Sequence, residues 1–421
     1  MKILHTVESY EPVYNGMQQV VKQISERIAS FGHEVTIATS YHPKRVTNNI
    51  NGVKIQDFKI SGKAASGYNA DQDEIERYIN FVINSDFDIV TNFAAQQWAT
   101  DLLLPILSKI KSHKIFVPTG FSELHNPNYY IYFNSMKTWM KSYDMNIFLS
   151  NDYQDINFAR ANGISKIKII TNGASHEEFS IKKDYNVKNK LSIPRNHFLI
   201  LHVGSHTGLK GHDEAIKIFN KAKLLNTTFL IIGNSTNNEN IFLVLFNYFL
   251  KKIANIFSKR KYIPSCYLTC TIKSFFFRFS FNNLKLRKKI IIADLSREET
   301  IKLYNEADLF LFPSNIECSP IVLFECLASK TPFLTTDVGN AKEIISWTNS
   351  GVLISTINSS NGFKTVDIDF AVKILEESID NIRMLKNNSL KSYELFLEKY
   401  TWEKISKQYE ELYLTYQNFS N

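Results

Sequence analysis

In the first 170 residues, short apolar runs alternate with amphipathic stretches. Lys2–Val7, Glu34–Ala38, Val53–Phe58, Ile89–Phe93, Lys114–Val117, Met145–Leu149 and Ile167–Ile170 read as buried strands. Between the first two lies Met17–Phe31, where Val20, Ile24 and Ile28 recur every four residues and predict a helix. Strands separated by helices argue for a parallel sheet wrapped by helices. The pattern then restarts. Phe198–Val203 reads as a strand, Gly204–Gly211 as a loop, and His212 to about Leu225 as a helix. The strand Thr228–Ile232 follows, and after a long insertion come the strand Lys289–Ala293, the helix Arg297–Glu306, and the strands Asp308–Phe312 and Pro332–Thr335. Two successive βα series predict an α/β chain of two Rossmann-like domains, with ligand loops at the carboxyl ends of the strands. The last segment, Tyr393–Tyr416, carries Trp402, Ile405, Tyr409, Leu412 and Tyr416 in a helical pattern.

Size and composition fit this division. The chain has 421 residues and is 44% hydrophobic, enough for two ordinary cores without covalent staples. Its four cysteines, Cys266, Cys270, Cys318 and Cys326, form no CxxC pair, which favours free thiols in a reducing compartment. No His/Cys group has the sequence spacing of a zinc site. Met1–Val7 is too short for a secretory signal, and no run of about 18 apolar residues predicts a membrane span. A cytoplasmic protein is the expectation.

The net charge of +8 is unevenly spread. Residues 240–293 hold eleven Lys/Arg, twelve aromatics and no Asp or Glu. The rest of the chain carries 38 basic and 41 acidic residues and is slightly acidic. A basic, aromatic insertion of this kind suits an anionic bilayer surface. Single-stranded nucleic acid would use similar residues, but nothing else points to it. An extra helical hairpin packed on the second domain is the plain alternative.

Two loops carry the candidate chemistry. In Leu311–Ala328 a strand ends near Phe312, Ser319 suits an N-cap, and Pro320 suits the first helical position. A helix start offers free N–H groups to a diphosphate, here those of Ile321 and Val322. Glu317 sits just ahead, and Glu325 lies amid apolar neighbours, where it needs a hydrogen-bond partner such as a ribose. The second loop, Gly204–Gly211, combines three glycines with Lys210 and suits a phosphate. Either loop alone could be ordinary surface; two in one domain make a site.

These residues resemble the retaining glycosyltransferases of family 4, over nearly the whole chain. The resemblance implies the GT-B fold, two Rossmann-like domains facing across a cleft: 1–174 on the acceptor side, 175–399 on the nucleotide-sugar side with the insertion 240–293, and a helix 400–421 crossing back. Glu317 and Glu325 resemble the family's paired glutamates, the first for the donor sugar and the second for the ribose. Gly204, Ser205 and Lys210 resemble its phosphate loop, Asn172-Gly173 with Phe179 its interdomain signature, and Asn15-Gly16 its N-terminal glycine loop. The implied activity is transfer of a sugar, with retention, from a nucleotide-sugar donor to a glycan or lipid-linked saccharide, in surface polysaccharide assembly on the inner face of the cytoplasmic membrane. Lys210 and Glu317 take the catalytic roles; Gly16, Gly204, Ser205, Lys210, Ser319, Ile321, Val322 and Glu325 bind the donor; Asn15 and His125 meet the acceptor. No cofactor or metal is implied, and the DxD pairs Asp71/Asp73, Asp86/Asp88 and Asp367/Asp369 read as ordinary acidic residues, Asp86 and Asp88 in the turn before a strand. Two departures stand out: Ser205 replaces an Arg, and Pro320 removes one N–H from the helix start. Ser205 motivates a rival reading, a weak or inactive nucleotide-sugar binder; a sugar-nucleotide epimerase would share the architecture.

Overall fold

A computed structural model describes residues 1–180, 186–233, 266–358 and 362–417. The chain divides into two compact units, one of residues 1–174 with 398–421, the other of residues 175–397.

The first unit is built on strands β1 (Lys2–Thr6), β2 (Glu34–Ser40), β3 (Asn49–Ile50), β4 (Val53–Phe58), β7 (Ile89–Phe93), β8 (His113–Val117), β9 (Met145–Phe148) and β10 (Ile167–Ile169), with a small hairpin of β5 (Ser61–Lys63) and β6 (Gly67–Asn69). The sheet order is β10-β9-β8-β7-β1-β2-β4-β3, parallel except where β3 meets β4. β1 pairs with both β2 and β7, so the strand order reverses there. The helix Gly16–Ser30 turns Val20, Val21, Ile24 and Ile28 inward, as its periodicity requires.

The second unit has β11 (Phe198–Val203), β12 (Thr227–Ile232), β13 (Lys289–Ala293), β14 (Leu309–Phe312), β15 (Phe333–Thr336) and β16 (Gly351–Ile354). Their order is β13-β12-β11-β14-β15-β16, and every pair is parallel. The central strands are predominantly apolar because both sheet faces are covered. Order reverses between β11 and β14, which pair directly through Ile200↔Leu309 and Leu201↔Phe310. An open α/β sheet binds ligands at such a switch point, beyond the carboxyl ends of the strands.

Three boundaries differ from the sequence reading. The helix after β11 ends at Lys221, not near Leu225. The buried Lys288 ammonium donates to the carbonyls of Phe219 (2.5 Å), Asn220 (3.2 Å) and Ala222 (2.8 Å) and closes the helix early. The segment Tyr393–Tyr416 is two helices, Ile382–Lys399 and Trp402–Gln417. Between them the chain pairs with Ala174: Ala174 N–H donates to Tyr400 O (3.1 Å) and Trp402 N–H to Ala174 O (3.0 Å). Finally, Pro320 is itself the N-cap, and the helix begins at Ile321. Of the insertion 240–293, residues 240–265 lie outside the described residues; the remainder forms helices Tyr267–Phe277 and Phe281–Lys285 and then β13.

Candidate functional site

The loops after β11 and β14 emerge side by side and are locked together. Gly211, the N-cap of the helix His212–Lys221, has φ +72° and lies flat against Pro313; a Cβ there would stand 1.9 Å from the Pro313 carbonyl oxygen. Only glycine meets both demands. Asn315 N–H and the Ser314 hydroxyl both donate to Leu209 O (3.0 and 3.1 Å). Gly204 lies beneath the Lys210 side chain, where an added Cβ would be 3.2 Å from Lys210 Cβ.

This docking brings the two proposed catalytic residues together across 107 positions of sequence. Lys210 Nζ donates to Glu317 Oε1 at 2.7 Å, and Ser314 Oγ lies 3.1 Å from the same oxygen. The Glu317 side chain is 11% exposed and that of Lys210 29%, so the pair sits at a wall that solvent reaches from one side. Glu317 lies four positions before Ile321, the first residue of the helix Ile321–Ser329. Leu323 N–H bonds back to Pro320 O (3.1 Å), leaving the amides of Ile321 and Val322 as the first helical donors. With Pro320 outside the helix, its missing N–H takes nothing from that row. Ser319 is buried one position before the cap, and Ser205 is exposed on the loop after β11.

Glu325 is 4% exposed, and its partner is supplied by the protein. Arg297 Nη1 donates to Glu325 Oε1 at 2.5 Å, while Nε and Nη2 donate to Glu178 Oε2 at 3.0 and 2.8 Å. The guanidinium lies 5.5 Å from the centre of the Phe179 ring. Burial opposes the Arg297 charge, but the carboxylates of Glu325 and Glu178 outweigh it and raise the guanidinium further above its ordinary range. Arg297 is the site residue that the sequence reading missed. A signal existed: it occupies the first position of a helix capped by Ser296 and Glu299, where the macrodipole disfavours a cation. A cation placed there needs carboxylates, and a buried Glu needed a cation.

The other nominated residues lie in the first unit. Asn15 caps the helix Gly16–Ser30, accepting from Gln18 N–H (2.9 Å) and donating to Ser9 Oγ (2.8 Å). It also lines a cavity of about 310 Å³ with Glu8, Tyr10, Tyr41 and Arg45. Gly16 is open, with no atom within 4 Å of an added Cβ. His125 is exposed in the loop after β8. Two DxD pairs are occupied locally: Asp86 and Asp88 bond Lys2, while Asp367 caps the helix Ile368–Asp380 and Asp369 pairs with Lys221.

Comparison with known proteins meets this geometry at the same place. Residues 277–364, which contain Arg297, Glu317 and Glu325, match the family described as glycosyl transferases group 1. An uncharacterized glycosyltransferase of Methanocaldococcus jannaschii is 23% identical over 439 residues, covering 98% of each chain. Among solved structures, sucrose-phosphate synthase from Thermosynechococcus elongatus superposes with a TM-score of 0.69 at 14% identity, over 100% of this chain and 99% of that one. Anabaena HepE, solved in complex with UDP, gives 0.68 at 13% identity, over 99% and 100%. The fold is GT-B, and the matches support a glycosyltransferase.

Proposed function

We propose that this protein is a retaining glycosyltransferase of family 4 that moves a hexosyl group from a nucleoside diphosphate sugar to a saccharide or lipid-linked saccharide. The observation that carries the reading is the Lys210–Glu317 pair, held by two interlocked loops at the switch point and followed by a helix start. A departing diphosphate gathers negative charge as the sugar bond breaks. Lys210 and the amides of Ile321 and Val322 are preorganised cationic and dipolar groups that meet such charge, and fixed groups act most strongly where charge develops. Glu317 orients the donor sugar and, by accepting from Lys210, keeps the ammonium in place. Glu325, braced by Arg297, offers its second oxygen to the ribose. Gly204 leaves room for the Lys210 side chain, and Ser205 and Ser319 add hydroxyls for the donor; in the first unit Gly16 is assigned to the donor, and Asn15 and His125 to the acceptor. No metal is assigned to the transfer step.

Because HepE was solved with UDP and with UDP-glucose, uridine nucleotides are the first donors to test. Screening nucleotide sugars for thermal stabilisation, then for transfer, identifies the donor. Lys210→Ala and Glu317→Ala should each lower kcat by about 10²- to 10³-fold. Normal turnover in both removes the site assignment. Tight binding without turnover in the parent chain favours the inactive reading motivated by Ser205, and sugar conversion without an acceptor favours an epimerase.

We further propose that the basic aromatic segment rests on an anionic membrane at the cytoplasmic face, near lipid-linked acceptors. In its described part Phe275, Phe276, Phe279, Phe281 and Leu284 are all more than half exposed, beside Arg278 and Lys285. Among the described residues no helix is long and apolar enough to cross a membrane. Full-length protein should pellet with phosphatidylglycerol vesicles, and serine at Phe275, Phe276 and Phe279 should abolish pelleting. Failure of the parent chain to pellet removes the idea.

A further inference from the structure

A cluster of nitrogen and sulfur ligands lies in the second unit that the transfer reaction does not use. His206 follows β11 in the loop that carries Lys210. Cys266 opens the helix Tyr267–Phe277, and Cys270 lies one turn further along the same face. One ligand atom from each of these three residues lies within 4.8 Å of the others. His206 Nδ1 is 3.4 Å from Cys266 Sγ, and Cys266 N–H donates to His206 O (3.1 Å), so main chain and side chains converge. The exposures of His206, Cys266 and Cys270 are 1%, 9% and 1%.

A second observation points to a ligand. The His212 ring packs against this cluster, 4.2 Å from the ring of His206. His212 Nε2 donates to Gly204 O at 3.1 Å, which fixes the tautomer and puts the lone pair on Nδ1. That Nδ1 is buried and has no hydrogen-bond partner among the described residues. An imidazole held by one nitrogen on a backbone carbonyl, with the other bare and buried beside thiols, is the arrangement of a metal-binding histidine.

We propose that His206, Cys266 and Cys270, with His212 as the fourth ligand, bind one zinc ion. Two thiolates and two imidazoles form a donor set that suits tetrahedral Zn²⁺ and closes it to substrate. Bonds of about 2.3 Å to sulfur and 2.0–2.1 Å to nitrogen at tetrahedral angles put neighbouring S and N ligands about 3.5 Å apart. The 3.4 Å between His206 Nδ1 and Cys266 Sγ is compatible with that spacing. Both sulfurs bind as thiolates. The absence of zinc spacing in the sequence does not bear on this cluster, because its ligands come from three places in the chain, 60 residues separating His206 from Cys266. The ion would pin the loop of Lys210 to the start of the helix Tyr267–Phe277. The assignment does not depend on the glycosyltransferase reading.

The test uses the full chain, purified without an affinity tag under reducing conditions, with metal measured by plasma mass spectrometry. Parent protein and Cys318→Ser should carry about one zinc per chain, and Cys266→Ser/Cys270→Ser should fall at least about tenfold. A second arm needs no variant. Parent protein stripped with a chelator and titrated with Co²⁺ should develop thiolate-to-metal charge-transfer absorption and the visible bands of tetrahedral cobalt. Zinc content unchanged in the double variant overturns the site. So does a cobalt titration without thiolate bands, or a Cys266–Cys270 disulfide recovered from the native protein.

Discussion

Replacing Arg297 by methionine tests whether the ion-pair cluster behind the candidate site is a structural brace. The substitution keeps the apolar stem against Phe179 and removes the cation from Glu325 and Glu178. Losing one partner of a fully buried pair typically destabilises by about 3–5 kcal/mol, because the remaining charge is left uncompensated. Here the Glu325 side chain is 5% exposed, but those of Arg297 and Glu178 are 30% and 32% exposed. Water reaches part of the cluster, so about 2–3 kcal/mol is the appropriate figure. The assay is native-state hydrogen exchange of the amides in Ile321–Ser329, which reports on the second unit alone. At 1.36 kcal/mol per tenfold change, exchange should accelerate about 30- to 150-fold. Arg297→Met/Glu325→Gln removes both charges and should recover at least half of the lost protection. Protection unchanged within about threefold in the single variant refutes the reasoning, as does a double variant no better than the single one.

Gly211→Ala forces a Cβ onto the Pro313 carbonyl at a positive φ; it should cost about 2 kcal/mol or more and weaken nucleotide binding, whereas Gly16→Ala, with open space around it, should leave stability within about 1 kcal/mol. Thermal melts with and without nucleotide check both. His5 is wholly buried, bonded to Ser25 Oγ (2.7 Å) and Tyr413 OH (3.1 Å), and burial pushes its pKa down to about 3. The unfolded chain takes up this proton first, so the stability contribution is intact above pH 6.5 and falls by up to about 1.4 kcal/mol per pH unit as pH drops toward 3. Denaturant melts from pH 7 to 4 should give a shallower slope for His5→Gln than for the parent. Lys288→Met leaves three helix-end carbonyls without their cation and should destabilise the second unit by about 1–3 kcal/mol in urea unfolding.

The strands were legible because buried parallel strands are rich in apolar residues, as in Phe198–Leu201 of β11 and Phe229–Ile232 of β12. Lys210 and Glu317 were legible as loop residues beside a glycine turn and a helix start. Their mutual bond was not, since it depends on Gly211 packing against Pro313, a contact no local pattern encodes. The same limit explains the other departures. The helix after β11 is closed by Lys288, 67 residues beyond Lys221. The break at Tyr400–Thr401 is imposed by backbone bonds to Ala174. Pro320 was placed one position too far into the helix because a proline suits either the cap or the first turn. Arg297 was passed over because it was read only as the first residue of a helix; the conflict between its charge and the helix dipole is legible once a buried carboxylate is sought for it.

The helix Trp402–Gln417 has a consequence for synthesis. Trp402, Ile405, Tyr409, Leu412 and Tyr413 are buried in the first unit, and the Tyr413 hydroxyl contacts His5 and Thr91 deep in the sheet. At about 5–20 residues per second, roughly 10–50 s of translation separate residue 174 from residue 417. Throughout that interval the emerging amino-terminal lobe lacks the piece that seals its apolar flank. Ribosome-bound chains stalled before Trp402 should therefore be protease-sensitive and bind chaperones, and loss of the last twenty residues should unfold the lobe farthest from them in sequence.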